Sequence, residues 1–339
     1  MTSVEYLQLL LAGRRLPGHF TMPLIKQFCS MQTNRKYGQY SQDYRVLTQC
    51  QLELNQRHPI DALNVLGYPY REANDCGMAV DFPEDAQPIG HGPLIHGSED
   101  VERFDWPDPQ EGPLMSDRIA AIARFKRERP DIVAMGALES PLALAATLVG
   151  LEPIMLALYD DPAFVERLLR RLEPLAIAFA VAQIDEGADL IFMGDAIASQ
   201  IGPDHYVEHA LPAEKRVIEA VQQRGVAVRL HICGDITPIL EHVAGTGARM
   251  IDIDSAVDLG MACAHIGERS PDSFVVGNFN PVTVLLQGSP DDVRAACRHC
   301  ERRAAGFDRF ILSPGCEVPP ATPLDNYLAM LEFGWKATA

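Results

Sequence analysis

Residues 226 to 235, VAVRLHICGD, join an alternating apolar run to a histidine, a cysteine and a turn. Val226, Val228 and Leu230 alternate with Ala227 and Arg229, which predicts a short strand running into a turn at Gly234 and Asp235. Side chains two apart on a strand share a face, so His231 and Cys233 point the same way. The pair alone carries little weight, because 10 His and 8 Cys in 339 residues give roughly 0.24 such pairs by chance. A third soft ligand strengthens it: Phe310, Ile311 and Leu312 form another short apolar strand, followed by Ser313, Pro314, Gly315 and Cys316. If both strands belong to one parallel barrel, His231, Cys233 and Cys316 all lie just past strand C-terminal ends, where barrel active sites are built. Three N/S donors with a fourth position free describe a catalytic zinc site better than a closed structural one. On spacing alone, a core histidine with two inert buried cysteines stays open as the alternative.

Two thiolates and one neutral imidazole bring zinc close to net neutrality. Coordination favours the thiolate form of a thiol entering the fourth position, and the sulfur stays electron-rich. Three-histidine sites keep positive charge and suit making hydroxide from water, whereas this donor set points to alkyl transfer to a thiol. Other polar residues fall at predicted strand ends: Asp195 after LIFMG, Glu139 after IVAMGAL, Asp252 and Asp254 in MIDIDS, and Asn278 and Asn280 in VVGNFNP. Each reads either as a barrel-mouth residue or as a helix cap. Asp195 and Glu139 are the candidates for taking the thiol proton or orienting a ligand. Cys297 and Cys300, with His299 between them, resemble a metal half-site, but Val293, Ala296, Cys297, Cys300 and Ala304 fall on one helical stripe, which favours packing. His91 and His96 lie in a Gly/Pro-rich stretch and either reach the site or face water.

Positioning these residues takes a regular scaffold. Strand patterns fall at about 132–137, 188–193, 226–232, 248–253, 273–278 and 308–312, separated by helical patterns that include a long one over 162–186 and another over 203–223. Such alternation with short connections implies parallel β-α-β units. Two earlier candidate strands, 20–25 and 62–66, bring the count to about eight and favour a closed barrel. Residues 3–12 have helical spacing and precede it as an N-terminal extension. Residues 34–45 read as a polar, aromatic loop, and 78–97 as an insertion of short strands and turns. No linker interrupts 1–339, so one domain is expected. The net charge of −17 disfavours nucleic acid or an anionic membrane surface as principal partner. Irregularly spaced cysteines and a first segment without a basic n-region point to a reducing cytoplasm. Neither G-x-G-x-x-G nor G-x-x-x-x-G-K-[ST] is present.

From HICGDITPILEHVAGTGARMIDID onward the chain resembles the uroporphyrinogen decarboxylase superfamily, and within it the corrinoid-linked methyltransferases related to methylcobalamin:coenzyme M methyltransferase. GADLIFMGDAIAS (187–199), LPAEKRVI (211–218), VVGNFNPVTVLLQGSPDDV (275–293) and ILSPGCEVPPATPLDNYLAM (311–330) carry the resemblance through the second half. DALNVLG (61–67) and PYREANDCG (69–77) anchor the first half. The resemblance implies an α/β fold, a (β/α)8 barrel, with zinc on His231, Cys233 and Cys316. A methyl group would pass between a corrinoid and a small substrate, with a thiol as acceptor. Cobalamin-independent methionine synthase is similar in its ligand arrangement. No D-x-H-x-x-G motif is present, so the corrinoid would arrive on a partner protein over the barrel mouth, where Asn278 and Asn280 would contact it. Demethylation of an O- or S-methyl substrate toward the corrinoid is the alternative direction, and a metal-free decarboxylase-like lyase is the sibling activity. NRKYGQY (34–40) is similar to the R-x-x-G-R-Y loop of the decarboxylases through Arg35, Gly38 and Tyr40, but Gln39 replaces its second arginine.

Overall fold

The computed structural model describes residues 1–335; residues 336–339, the end of the expected single domain, lie outside the described residues. Among the described residues nine strands form: β1 (Ala62–Asn64), β2 (Ala79–Asp81), β3 (Ile89–His91), β4 (Val133–Glu139), β5 (Leu190–Asp195), β6 (Ala227–Ile232), β7 (Met250–Asp252), β8 (Phe274–Phe279) and β9 (Phe310–Pro314). Seven of them make one curled parallel sheet in the order β1-β4-β5-β6-β7-β8-β9, while β2 and β3 pair as an antiparallel hairpin within the expected insertion. The fold is an α/β barrel, with helices in the connections between successive strands of the parallel sheet. Its strands read as near-continuous apolar runs because both faces are covered: β5, β6 and β8 are buried at every position.

The barrel closes without an eighth ladder strand. Residues 20–25, tied to Asp61 before β1 and to Val318 after β9, join no ladder, and their polar groups are met one by one. Asp61 N–H donates to the Thr21 carbonyl at 2.8 Å and Val318 N–H to that of Leu24 at 3.0 Å. The Arg229 guanidinium donates to the Met22 carbonyl at 2.7 Å, and Thr21 N–H and Oγ both donate to Asp61 Oδ2 at 2.7 Å. Pro23 has no N–H to offer. The apolar pattern is still used, since Phe20, Met22, Leu24 and Ile25 are buried.

Residues 34–45 also differ from expectation. In place of a loop, helices run over Tyr37–Gln42 and Tyr44–Arg57, with Asp43 capping the second by accepting from Arg45 N–H at 2.8 Å. Tyr37, Tyr40, Leu47, Cys50, Gln51 and Leu54 make a buried stripe at three- and four-residue spacing. Its tyrosines and glutamine read as polar, which hid the helical period. The helix over Pro113–Glu128 takes its cap from a distant residue: Asp75 accepts from Leu114 N–H at 3.0 Å and Met115 N–H at 2.7 Å. Among the described residues no single helix is long and apolar enough to cross a membrane.

Candidate metal centre

Parallel pairing of β6 and β7 sets His231 opposite Asp252. Both are buried, at 5% and 4% exposure, and His231 Nδ1 lies 2.9 Å from Asp252 Oδ2. The other oxygen, Oδ1, accepts from Arg229 Nε at 2.8 Å. Burial opposes ionisation of Asp252, but the Arg229 charge and the hydrogen bond from His231 hold its carboxyl below the usual range. Asp252 therefore orients the imidazole and leaves Nε2 facing away from β7. Phe192 flanks the ring at a centroid distance of 5.5 Å.

Nε2 of His231 meets two sulfurs. It is 3.1 Å from Cys233 Sγ and 3.7 Å from Cys316 Sγ, and the sulfurs are 3.9 Å apart. That gap is nearly twice the roughly 2.05 Å of a disulfide, and both cysteines are free. A tetrahedral ion with Zn–N of about 2.0–2.1 Å and Zn–S of about 2.3 Å needs separations of about 3.6 Å and 3.8 Å; the two separations that involve Cys316 match, and Cys233 Sγ, at 3.1 Å from Nε2, has to move outward by about 0.5 Å to complete the triangle. Burial disfavours the His231 imidazolium, but hydrogen bonds to Asp252 and Cys316 push its pKa up to about 9. The hydrogen bond from Cys233 and the His231 charge bring Cys316 down to about 4 against the opposing effect of burial, while the same thiol pairing and burial push Cys233 up. Cys316 is thus the sulfur most readily ionised, with His231 and the Cys233 thiol as the groups that favour its thiolate.

Two loops hold the sulfurs in place. Gly234, at φ +88°, turns the chain directly after Cys233, and Asp254 Oδ2 accepts its N–H at 3.2 Å. Gly315, just before Cys316, donates its N–H to the Phe279 carbonyl at 2.9 Å. A Cβ on Gly315 would come within 2.5 Å of Ser255 N, so only a glycine lets the loop after β9 approach the loop after β7.

The three donors line a cavity of about 250 Å³ whose wall includes Lys26, Tyr68, Arg71, Glu139, Asp195 and Glu317. Glu139 sits at the end of β4 and faces into the cavity. Its carboxyl is pushed up to about 8 by burial and by the charge of Glu72. Asp195 is 1% exposed and accepts from Ser140 Oγ at 2.5 Å, Ile197 N–H at 2.9 Å and Ala198 N–H at 2.8 Å; burial raises its pKa. Those bonds fix the loop after β5, so Asp195 acts as a positioning residue as well as a wall residue. Among the described residues, the Lys and Arg side chains lining the cavity are Lys26, paired with Glu317 at 2.8 Å, and Arg71, paired with Glu72 at 2.7 Å.

Not every expected residue gathers here. Asn278 donates its amide to the Asp254 and Val257 carbonyls at 3.2 and 2.7 Å. Asn280 Oδ1 accepts from Val282 and Thr283 N–H, each at 2.9 Å. Both line a separate cleft with Asp258 and His299 and are absent from the wall around His231, because their polar atoms are engaged by loop and cap backbone. Cys297 and Cys300 are buried in packing. His91 is exposed and bonded to Asp81 at 2.8 Å, and His96 is exposed. Arg35 turns away to the Thr33 carbonyl at 2.7 Å and to Glu53, and Gln39 is exposed. Sequence reasoning missed Lys26 and Glu317, whose pairing across nearly the whole chain leaves no local signal; Asp252 had one, in its strand-end position beside Asp254.

The family described as Uroporphyrinogen decarboxylase (URO-D) matches residues 15–335. The chain belongs to that family. Among curated uroporphyrinogen decarboxylase-family relatives, the methylcobamide:CoM methyltransferase MtbA of Methanosarcina mazei is 33% identical over 265 residues, covering 76% of this chain and 74% of the relative. The uroporphyrinogen decarboxylase of Nostoc punctiforme is 27% identical over 324 residues, covering 88% and 89%. Among solved structures, a methyltransferase from Methanosarcina mazei superposes with a TM-score of 0.87 over 98% of each chain at 22% identity. A B12-independent methionine synthase from Shewanella sp. W3-18-1 superposes at 0.58 over 94% of each chain at 13% identity. These two likenesses establish the barrel.

Proposed function

We propose that this protein is a zinc-dependent methyltransferase that moves a methyl group between a corrinoid and a small substrate, with a thiol as acceptor. The observation that carries the reading is the triangle of His231 Nε2, Cys233 Sγ and Cys316 Sγ at the wall of a cavity. Zinc bound by these three atoms supplies a Lewis acid that favours the anionic form of an entering thiol. The chain's own residues do the rest. Asp252 holds the imidazole by Nδ1 so that Nε2 stays free to bind, and Arg229 offsets the carboxylate's charge. Glu139, with its carboxyl pushed up to about 8, lies close enough to neutral pH to take a proton at Oε and return it. Asp195 keeps the loop after β5 in register with the cavity.

A cavity of about 250 Å³ is far too small to enclose a corrinoid macrocycle. The corrinoid therefore approaches the mouth from outside, carried by a partner protein. The charge of the wall weighs against a decarboxylase of a polyanionic tetrapyrrole. Its cations, Lys26 and Arg71, are already bound to Glu317 and Glu72, and Glu139 and Asp195 add carboxyls. The test is an assay of zinc-loaded protein with methylcobalamin and a panel of small thiols, alongside uroporphyrinogen. Thiol-dependent demethylation that falls at least 100-fold in Cys233→Ala is the expected result. Turnover of uroporphyrinogen with no thiol methylation would overturn the reading.

A further inference from the structure

A second group of ligating side chains lies outside the cavity, in the segment after β5. There a short helix, Gly202–His205, runs into a π-helical turn over Tyr206–Ala210, where Leu211 N–H donates to the Tyr206 carbonyl. Pro212 accounts for that wide turn: it has no N–H to return to the Glu208 carbonyl, so the bonding slips by one residue. The turn places His205 and His209 side by side, with ring centroids 6.0 Å apart and planes at 16°. A donor atom from each of His205, Glu208 and His209 lies within 4.8 Å of the others. None of the three lines the cavity around His231.

Two nitrogens of this cluster are unsatisfied. His205 Nδ1 and His209 Nε2 are both shielded from solvent and neither has a hydrogen-bond partner. His209 is only 5% exposed, and an orphaned buried nitrogen is destabilising. Glu208 Oε2 stands 3.9 Å from His209 Nε2, too long for a hydrogen bond. An ion about 2.0–2.2 Å from each donor would bridge the gap. Tyr159 packs edge-on against the His205 ring at 4.3 Å and limits its swing. Glu166, tied to Arg170 at 2.7 Å, contributes a second negative charge felt by His209. Two imidazoles beside carboxylates suit a divalent transition ion of the zinc, cobalt, nickel and copper group.

We infer that His205, Glu208 and His209 form a second site for a divalent transition metal ion, separate from the cysteine centre and without sulfur ligands. The ion would complete the valences of two stranded imidazole nitrogens and brace the turn between β5 and the helix over Leu211–Gln223.

Cobalt(II) titration of the metal-free full-length chain tests this, because thiolate ligands give cobalt a near-ultraviolet charge-transfer band that nitrogen and oxygen ligands do not. The wild type should take up two equivalents, one with that band and one with ligand-field absorption alone. The band should vanish in Cys233→Ala/Cys316→Ala while the second equivalent stays, so the two sites stand or fall separately. His205→Ala and Glu208→Gln, at half-buried and exposed positions, should keep the wild-type fold by circular dichroism and lose the second equivalent. Absence of a sulfur-free equivalent in the wild type, or its survival in both variants, overturns the inference.

Discussion

Asp252 and His231 face each other across adjacent parallel strands, 2.9 Å from Oδ2 to Nδ1, with Arg229 on the other carboxylate oxygen. This relationship decides which imidazole nitrogen is available at the cavity. It also predicts what Asp252→Asn does: the replacement still accepts a hydrogen bond but removes the negative charge that makes Nε2 a better donor. Zinc affinity should fall about 10–100-fold, measured by competition with a chromophoric chelator. Loss of the buried partner of Arg229, which is 1% exposed, should also cost about 3–5 kcal/mol of stability, read from urea unfolding.

Glu139 gives a signed pH effect. Its carboxyl is pushed up to about 8 from 4.5, so between those values the folded chain holds one proton more than the unfolded chain. Stability contributed at this position therefore falls as pH rises through that window. Glu139→Gln should remove the slope and be more stable than wild type by roughly 1–3 kcal/mol at pH 8.5, with little difference near pH 4.5. Parallel urea titrations at the two pH values check it. In methyl transfer, the same variant should lose the kcat limb near pH 8 with KM little changed.

Gly315 should tolerate no side chain. A Cβ there meets Ser255 N at 2.5 Å and the Asp254 carbonyl carbon at 3.1 Å, both backbone. Gly315→Ala should cost about 1–3 kcal/mol and shift Cys316 relative to His231. A lowered Tm together with weaker metal binding is the expected outcome; an unchanged Tm would show that the two loops part easily.

Cys297 and Cys300 provide the contrast. Cys297→Ala should lower stability by about 1 kcal/mol through lost packing and leave the metal count at the cysteine centre unchanged, as elemental analysis would show. Loss of that metal would mean the helix over Pro290–Arg303 is coupled to the site.

Much of this architecture was legible in the chain. The strands from β4 to β9 each carry an apolar run with a polar residue at its last or next-to-last position, and Gly or Pro punctuates the adjoining turns, so their C-terminal ends and the three donors could be placed together. Structure made by long-range partners escaped. Residues 20–25 have a strand's apolar residues, but Pro23 and bonds from Asp61, Val318 and Arg229 keep them out of the ladder. The helix over Tyr44–Arg57 hides behind tyrosines and glutamines that are buried only in the fold. Asn278 and Asn280 sit at a strand end like the other candidates, but in the fold carbonyls and a cap consume them. Asp75 capping a helix that starts at Pro113 has no signal within a local window.

Zinc held by His231, Cys233 and Cys316 is the premise of the whole mechanism. Elemental analysis of wild type and Cys316→Ala, purified side by side and equilibrated against the same zinc buffer, is its plainest check. One zinc fewer per chain is predicted in the variant, with the fold retained by circular dichroism. Equal zinc in the two proteins, or none in the wild type after reconstitution, would contradict zinc binding at this centre.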